Sequence, residues 1–207
     1  MRITGGQSTG RILTVPKGLD VRPTPDRVKQ AIFNSLGDRI VGARVLELFA
    51  GTGALSLECL SRGAKHGVCV EKAERHAQAI RRNLAATGAA PGSLEVRVQD
   101  VFVALTQLAA GGRLFDVILA DPPYGDKNVG HRSHSLAQKL LDDPQLPRVL
   151  APGGVFVLGH TKRDTLEVTA AWVENKVLKH GDSVMKILGA NPTAPAPAQA
   201  PAGGPPA

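Results

Sequence analysis

Between Arg44 and His160, short and nearly continuous apolar runs alternate with stretches whose apolar positions recur every three or four residues. The short runs, Arg44–Phe49, Gly67–Glu71, Leu94–Val98, Phe115–Ala120 and Val155–His160, predict strands buried on both faces. The periodic stretches Ala54–Arg62, Ala73–Thr87 (closed by Gly88), Val101–Ala110 and Leu136–Leu150 predict the helices that cover them. Such alternation is the pattern of an α/β fold on a mostly parallel sheet. Upstream, Val28, Ala31, Ile32, Ser35 and Leu36 form one more helical stripe. Thr24 is placed to cap it, Pro25 suits its first position, Asp26 its positive end and Gly37 its close. After the fifth strand the rhythm changes. Trp172–Lys179 and Ser183–Leu188 meet across His180-Gly181-Asp182 as a hairpin.

The ends differ from the body. Residues 1–21 hold β-like pieces broken by Gly5-Gly6, Gly10 and Pro16, a small arm outside the main sheet. The α/β domain is expected over 22–190. Residues 191–207, rich in Ala and Pro, are expected to form an extended, mobile tail. The 207 residues carry a formal charge of +7, and the first 30 hold six basic residues against two acids. That concentration suggests a polyanionic partner, with Arg2, Arg11, Arg27 and Lys29 as candidate RNA contacts. Arg81-Arg82 and Lys162-Arg163 read as ordinary exposed faces, His131 and His134 as solvated, and Trp172 as strand packing. Cys59 and Cys69 lack any ligand-like spacing, so no metal site is expected. With neither a signal-type start nor an apolar run near the roughly 18–20 residues that span a bilayer, a cytoplasmic location is expected.

The chemistry gathers at strand ends. Glu47-Leu48-Phe49-Ala50-Gly51-Thr52-Gly53 is a glycine turn between a strand and a helix, where a ligand can approach the backbone. Glu71, 20 positions after Gly51, is placed to grip a ribose diol, with Lys72 beside it. These features alone admit NAD as readily as S-adenosylmethionine. Ser56 in place of a third glycine weakens the dinucleotide reading. Glu47 suits an ammonium group better than a diphosphate, and Asp100, followed by Val101, can accept from an adenine amine. The fourth strand then ends in Asp121-Pro122-Pro123-Tyr124. An exocyclic base amine is a poor nucleophile, because its lone pair is delocalised into the ring. A carboxylate and a rigidly held carbonyl that accept its two N–H groups direct that lone pair at a methyl donor. Pro122 and Pro123 fix the carbonyl, and Tyr124 offers a face for an extruded base.

With these residues in hand, the chain resembles the RsmD family of bacterial 16S rRNA guanine-N2 methyltransferases. The resemblance rests on Arg2-Ile3-Thr4-Gly5-Gly6, Gly10-Arg11, Arg22-Pro23-Thr24, Asp26-Arg27-Val28, Phe33-Asn34, Leu48 to Leu55, Leu60 to Ala64, Phe115-Asp116 and Asp121 to Tyr124. It implies a Rossmann-like class I methyltransferase: a seven-stranded sheet, its last strand antiparallel, with helices on both faces. It also implies S-adenosylmethionine at Arg22, Thr24, Glu47, Phe49, Ala50, Gly51, Thr52, Gly53, Glu71, Lys72, Asp100, Val101 and Asp121. Small-subunit ribosomal RNA is the implied partner, the working unit is expected to be a monomer, and Arg22–Asn34 would help close over the cofactor. Ser8-Thr9 and His160 depart from the family's usual residues. The alternatives are a DNA adenine-N6 or cytosine-N4 methyltransferase, or a non-catalytic RNA-binding module on the same shell.

Overall fold

A computed structural model describes residues 1–15, 24–124, 127–128 and 131–194. Arg22, the segment 16–23 and the tail beyond 194 lie outside the described residues. In chain order the elements are α1 (Asp26–Leu36), a 3₁₀ turn (Gly37–Ile40), β1 (Arg44–Leu48), α2 (Ala54–Ser61), β2 (His66–Glu71) and α3 (Glu74–Thr87). Then follow β3 (Leu94–Val98), α4 (Val101–Ala110), β4 (Phe115–Ala120), α5 (Leu136–Asp142), α6 (Leu146–Val149), β5 (Leu150–Thr161), β6 (Trp172–His180) and β7 (Ser183–Ala190). The seven strands form one sheet in the order β3-β2-β1-β4-β5-β7-β6. The first five are parallel and β7 runs antiparallel to both its neighbours, as the resemblance implies. Strand order reverses at β1 and β4, so a crevice opens beyond their carboxyl ends.

The side-chain period of two divides each strand between two cores. Leu46, Leu48, Ile118, Phe156 and Leu158 face α4, α5 and α6. Val45, Val117, Leu119 and Val157 face α1 and α2. Trp172 closes the first core, 5.2 Å from Phe156 between ring centres, with its indole N–H on the Leu141 carbonyl. Cys59 and Cys69 are both reduced and buried. The single helix expected over Leu136–Leu150 is two. Pro144 disfavours helical geometry at Asp143, which is extended, and the Asp143 carboxylate accepts from Gln145 N and Leu146 N to start α6.

The N-terminal arm is a narrow hairpin bridged at Arg2 and Ile12. Ile3 and Leu13 anchor it in a third core with Leu57 and Ile80. Its tip reaches the carboxyl-terminal ends of α2 and α3: Gln7 N donates to Ser61 O, and the Ser8 hydroxyl to Thr87 O. Gly6 is required there, since a Cβ would stand 1.9 Å from Ser61 O. Both helices begin at the edge where the parallel strands end, so the tip lies at the opposite edge.

Candidate active site

Beyond the carboxyl ends of β1, β2, β3 and β4 lies a cavity of about 950 Å³, at the upper end of ordinary ligand sites. Phe49, Gly51, Glu71, Lys72, Asp100 and Val101 line one part of it; Asp121, Pro122, Pro123 and Tyr124 line another. The turn after β1 is sharp. Phe49 adopts φ 56°, the one positive φ outside glycine among the described residues, followed by Gly51 at 55° and Gly53 at 74°. A Cβ at Gly53 would press within 2.9 Å of Ile80. Residues held in such geometry gather at ligand sites. Here the turn carries Gly51 N to 2.8 Å from Glu71 Oε2. Glu71 Oε1 accepts from Ala73 N at 2.9 Å and faces His76 Nδ1 at 3.2 Å. Asp100 spends one oxygen on Phe102 N, capping α4, and the other lies 4.0 Å from Lys72 Nζ.

The other end is built differently. Thr24 Oγ1 donates to Asp121 Oδ2 at 2.7 Å. Asp121 Oδ1 is buried without a hydrogen-bond partner among the described residues. It sits against Gly159 of β5, where a Cβ would stand 2.4 Å from it, so only glycine leaves the carboxylate room. Burial holds the Asp121 carboxyl above its ordinary range, partly opposed by the Thr24 hydrogen bond. Tyr124 is 37% exposed and its hydroxyl meets Ser183 Oγ at 3.3 Å, which ties it to the first residue of β7.

Three expected placements change. Glu47 does not reach the cavity. It points to the face of Val45, where it is 3% exposed and accepts from Leu55 N and Ser56 N at 3.2 and 2.8 Å. It therefore caps α2 from below, and burial, opposed by these bonds and by Ser56 and Cys69, raises its carboxyl. Thr24 does not cap α1; Pro25 occupies the cap position, and the Thr24 hydroxyl goes to Asp121. Lys29 is fully buried, holding the Arg2 carbonyl, Asp26 at 3.3 Å and Glu58 at 3.8 Å, so it cannot meet RNA. Arg2 pairs with Asp26 at 3.2 Å, while Arg11 and Arg27 are exposed. Ala50, Thr52 and Gly53 shape the turn without lining the cavity: Ala50 N binds Val70 O, and Thr52 O accepts from Asn83. His76, Phe102 and Leu136 line it unanticipated. His76 sits in the first turn of α3, where a helix following an acidic strand end faces that acid, and this was the available signal.

Residues 1–189 match the family described as Conserved hypothetical protein 95. YlbH of Bacillus subtilis is 34% identical over 169 residues, 82% of this chain and 87% of that protein. Ribosomal RNA small subunit methyltransferase D of Escherichia coli K12 is 40% identical over 124 residues, 60% of each chain. Among solved structures, the Thermus thermophilus 16S rRNA N2 methyltransferase RsmC, in complex with AdoMet and guanosine, superposes with a TM-score of 0.63 at 26% identity. That match covers 84% of this chain and 44% of RsmC. The chain belongs to the Conserved hypothetical protein 95 family and is an RsmD-like methyltransferase with a Rossmann-like class I fold.

Proposed function

We propose that the protein methylates the exocyclic N2 of a guanine in small-subunit ribosomal RNA, using S-adenosylmethionine and working as a monomer. The observation that carries this reading is Asp121: a buried carboxylate with one oxygen unpartnered among the described residues, beside two prolines and an accessible tyrosine face. A buried acceptor without a donor is costly, and an incoming N–H relieves that cost. The names of the D-type relative and of RsmC, with its guanosine, support the base and the RNA class.

The cavity suits the cofactor. Glu71, held by two backbone N–H groups, keeps acceptor capacity for a ribose diol, and Asp100 has its second oxygen for an amine. S-adenosylmethionine supplies an electrophilic methyl group on sulfur. The chain's own part is to accept one amine N–H on Asp121, the other on the Pro122 carbonyl, and to stack the base on Tyr124. Its contribution is positioning, worth up to about 7–11 kcal/mol in favourable cases.

Methyl transfer from labelled cofactor to naked RNA, isolated small subunits and DNA, with nucleoside digestion of the product, tests the reading. N2-methylguanosine in small-subunit RNA is the expected product. Label on DNA adenine or cytosine, or on no nucleic acid, overturns it.

A further inference from the structure

We propose that RNA is gripped next to the site by a basic rim on the β5–β7 side of Tyr124, and not mainly by the N-terminal arm. This rests on the reading of the substrate as RNA. The rim comes from two connections, in one of which the sequence reads Lys162-Arg163 as an exposed face. One follows Tyr124 and carries Lys127; the other follows β5 and carries Lys162 and Arg163. All three side chains are exposed, and none has an acidic partner among the described residues.

Their place relative to the site is fixed by hydrogen bonds. Tyr124 meets Ser183, and Ser183 pairs with Thr161 across β5 and β7. Lys162 N donates to Asp182 O, directly beside that pair. Asn128 is tied to the same edge: its Oδ1 accepts from Thr165 N at 2.9 Å, and its amide N–H groups reach Thr165 O and His131 O, both at 3.1 Å. Arg132 adds a second clamp, to Asp142 at 2.7 Å and Glu167 at 2.9 Å. The acid nearest Lys162 and Arg163 in sequence, Asp164, is 2% exposed and does not face solvent beside them. Thus three cations without an acidic partner among the described residues border Tyr124, the residue placed to stack a base. A nucleotide whose base lies on Tyr124 would direct its flanking phosphates toward this edge.

The arm offers less. Lys29 is buried, Arg2 is paired, and the Ser8 tip docks at the far edge of the sheet. Neutralising phosphates is what makes RNA affinity fall with salt, by roughly 0.7 logarithmic units per contact on single strands.

The test compares the triple variant Lys127→Gln/Lys162→Gln/Arg163→Gln with Arg11→Gln in the full chain. Binding of a fluorescent mixed-sequence single-stranded RNA is measured from low to high salt, alongside calorimetry of the demethylated cofactor. The triple variant should lose at least tenfold in RNA affinity, with the salt slope reduced by about 2. Its KM for RNA or small subunits should rise while kcat at saturation and cofactor affinity stay within about twofold. Arg11→Gln should change the slope by less than half as much. An unchanged slope in the triple variant, or an equal loss from Arg11→Gln alone, overturns the rim. Failure of the wild type to bind RNA removes the rim and the substrate class together. Salt-dependent binding through the rim without methyl transfer to any RNA removes the proposed reaction and keeps the rim.

Discussion

Glu71 and Asp121 stand at the ends of β2 and β4, the two strands that flank β1, and open on one cavity, yet their carboxylates are treated oppositely. Each oxygen of Glu71 already accepts a backbone N–H, from Gly51 and Ala73, and His76 stands behind it. Among the described residues Asp121 has one side-chain donor, Thr24, and an orphaned oxygen pressed toward Gly159. A group fixed by backbone donors and with lone pairs to spare holds a ligand in a fixed pose at little cost. A group left short of a donor, in a place that raises its carboxyl, becomes satisfied only when a donor arrives and is strongest where that donor turns positive. The first is suited to binding and the second to chemistry, because only interactions that strengthen in the transition state accelerate the step.

Removing Asp121 is the most severe way to break this contrast. Asp121→Ala should cost about 2.7–4 kcal/mol, a hundredfold to thousandfold in single-turnover methyl transfer, by analogy with deleting one preorganised polar group. Cofactor affinity should move little. Wild-type turnover in this variant would end the amine-directed mechanism. The next effect is Thr24→Val, which keeps shape and loses a hydrogen bond to a charged group, worth about 1.5–3 kcal/mol. Turnover should fall tenfold or more, and Thr24→Ser should restore it. Because burial raises the Asp121 carboxyl and Thr24 opposes that rise, activity should fall as pH drops through a value above the ordinary carboxylate range. Losing Thr24 should shift that acidic limb upward. A pH–rate profile that stays in place would assign Thr24 a purely structural part.

The sequence pattern reached the frame more fully than the roles. Apolar runs marked the five parallel strands to within a residue or two except β5, whose start at Leu150 hides behind Pro152-Gly153-Gly154. Residues lining the cavity next to backbone turns, such as Gly51 and Asp121, were legible because turn chemistry is local. Glu47, Thr24 and Lys29 were misread for one reason. Their partners lie far along the chain or in the next helix, and a charged residue shows no mark of burial until its neighbours are known. Lys29 meets Glu58 and the Arg2 carbonyl, and Thr24 meets Asp121 across 97 positions. Pro144 was the legible signal that the Leu136–Leu150 pattern undervalued.

Glu71 sharpens the binding side of the comparison. Glu71→Gln keeps an oxygen for one backbone N–H and offers the other a donor in place of an acceptor. Calorimetry should show weaker cofactor and demethylated-cofactor binding by about 1–3 kcal/mol, with turnover at saturating cofactor near wild type. Equal losses in turnover and affinity would mean that this end also acts in the transition state.

The smallest effect has the opposite sign. Burial raises the Asp121 carboxyl in the folded protein above its value in the unfolded chain, while Thr24 offsets part of the rise. A carboxyl shifted this way favours the folded state fully at pH below its unfolded pKa, and that contribution disappears as pH rises through the folded value. At neutral pH the charged form therefore weighs against folding. Asp121→Asn removes the charge, keeps an acceptor for Thr24 and fits the space beside Gly159. It should raise stability by about 0.5–2 kcal/mol, the range of single stabilising substitutions in general, while turnover falls. Thermal melts at neutral and acidic pH measure it: the gain should be present at neutral pH and shrink as pH drops, because the wild-type carboxyl is then protonated as well. Glu71→Gln should show no such gain, since its carboxylate is already satisfied. A variant of Asp121 less stable than wild type at neutral pH would show that the carboxylate is supported by the fold and not held against it.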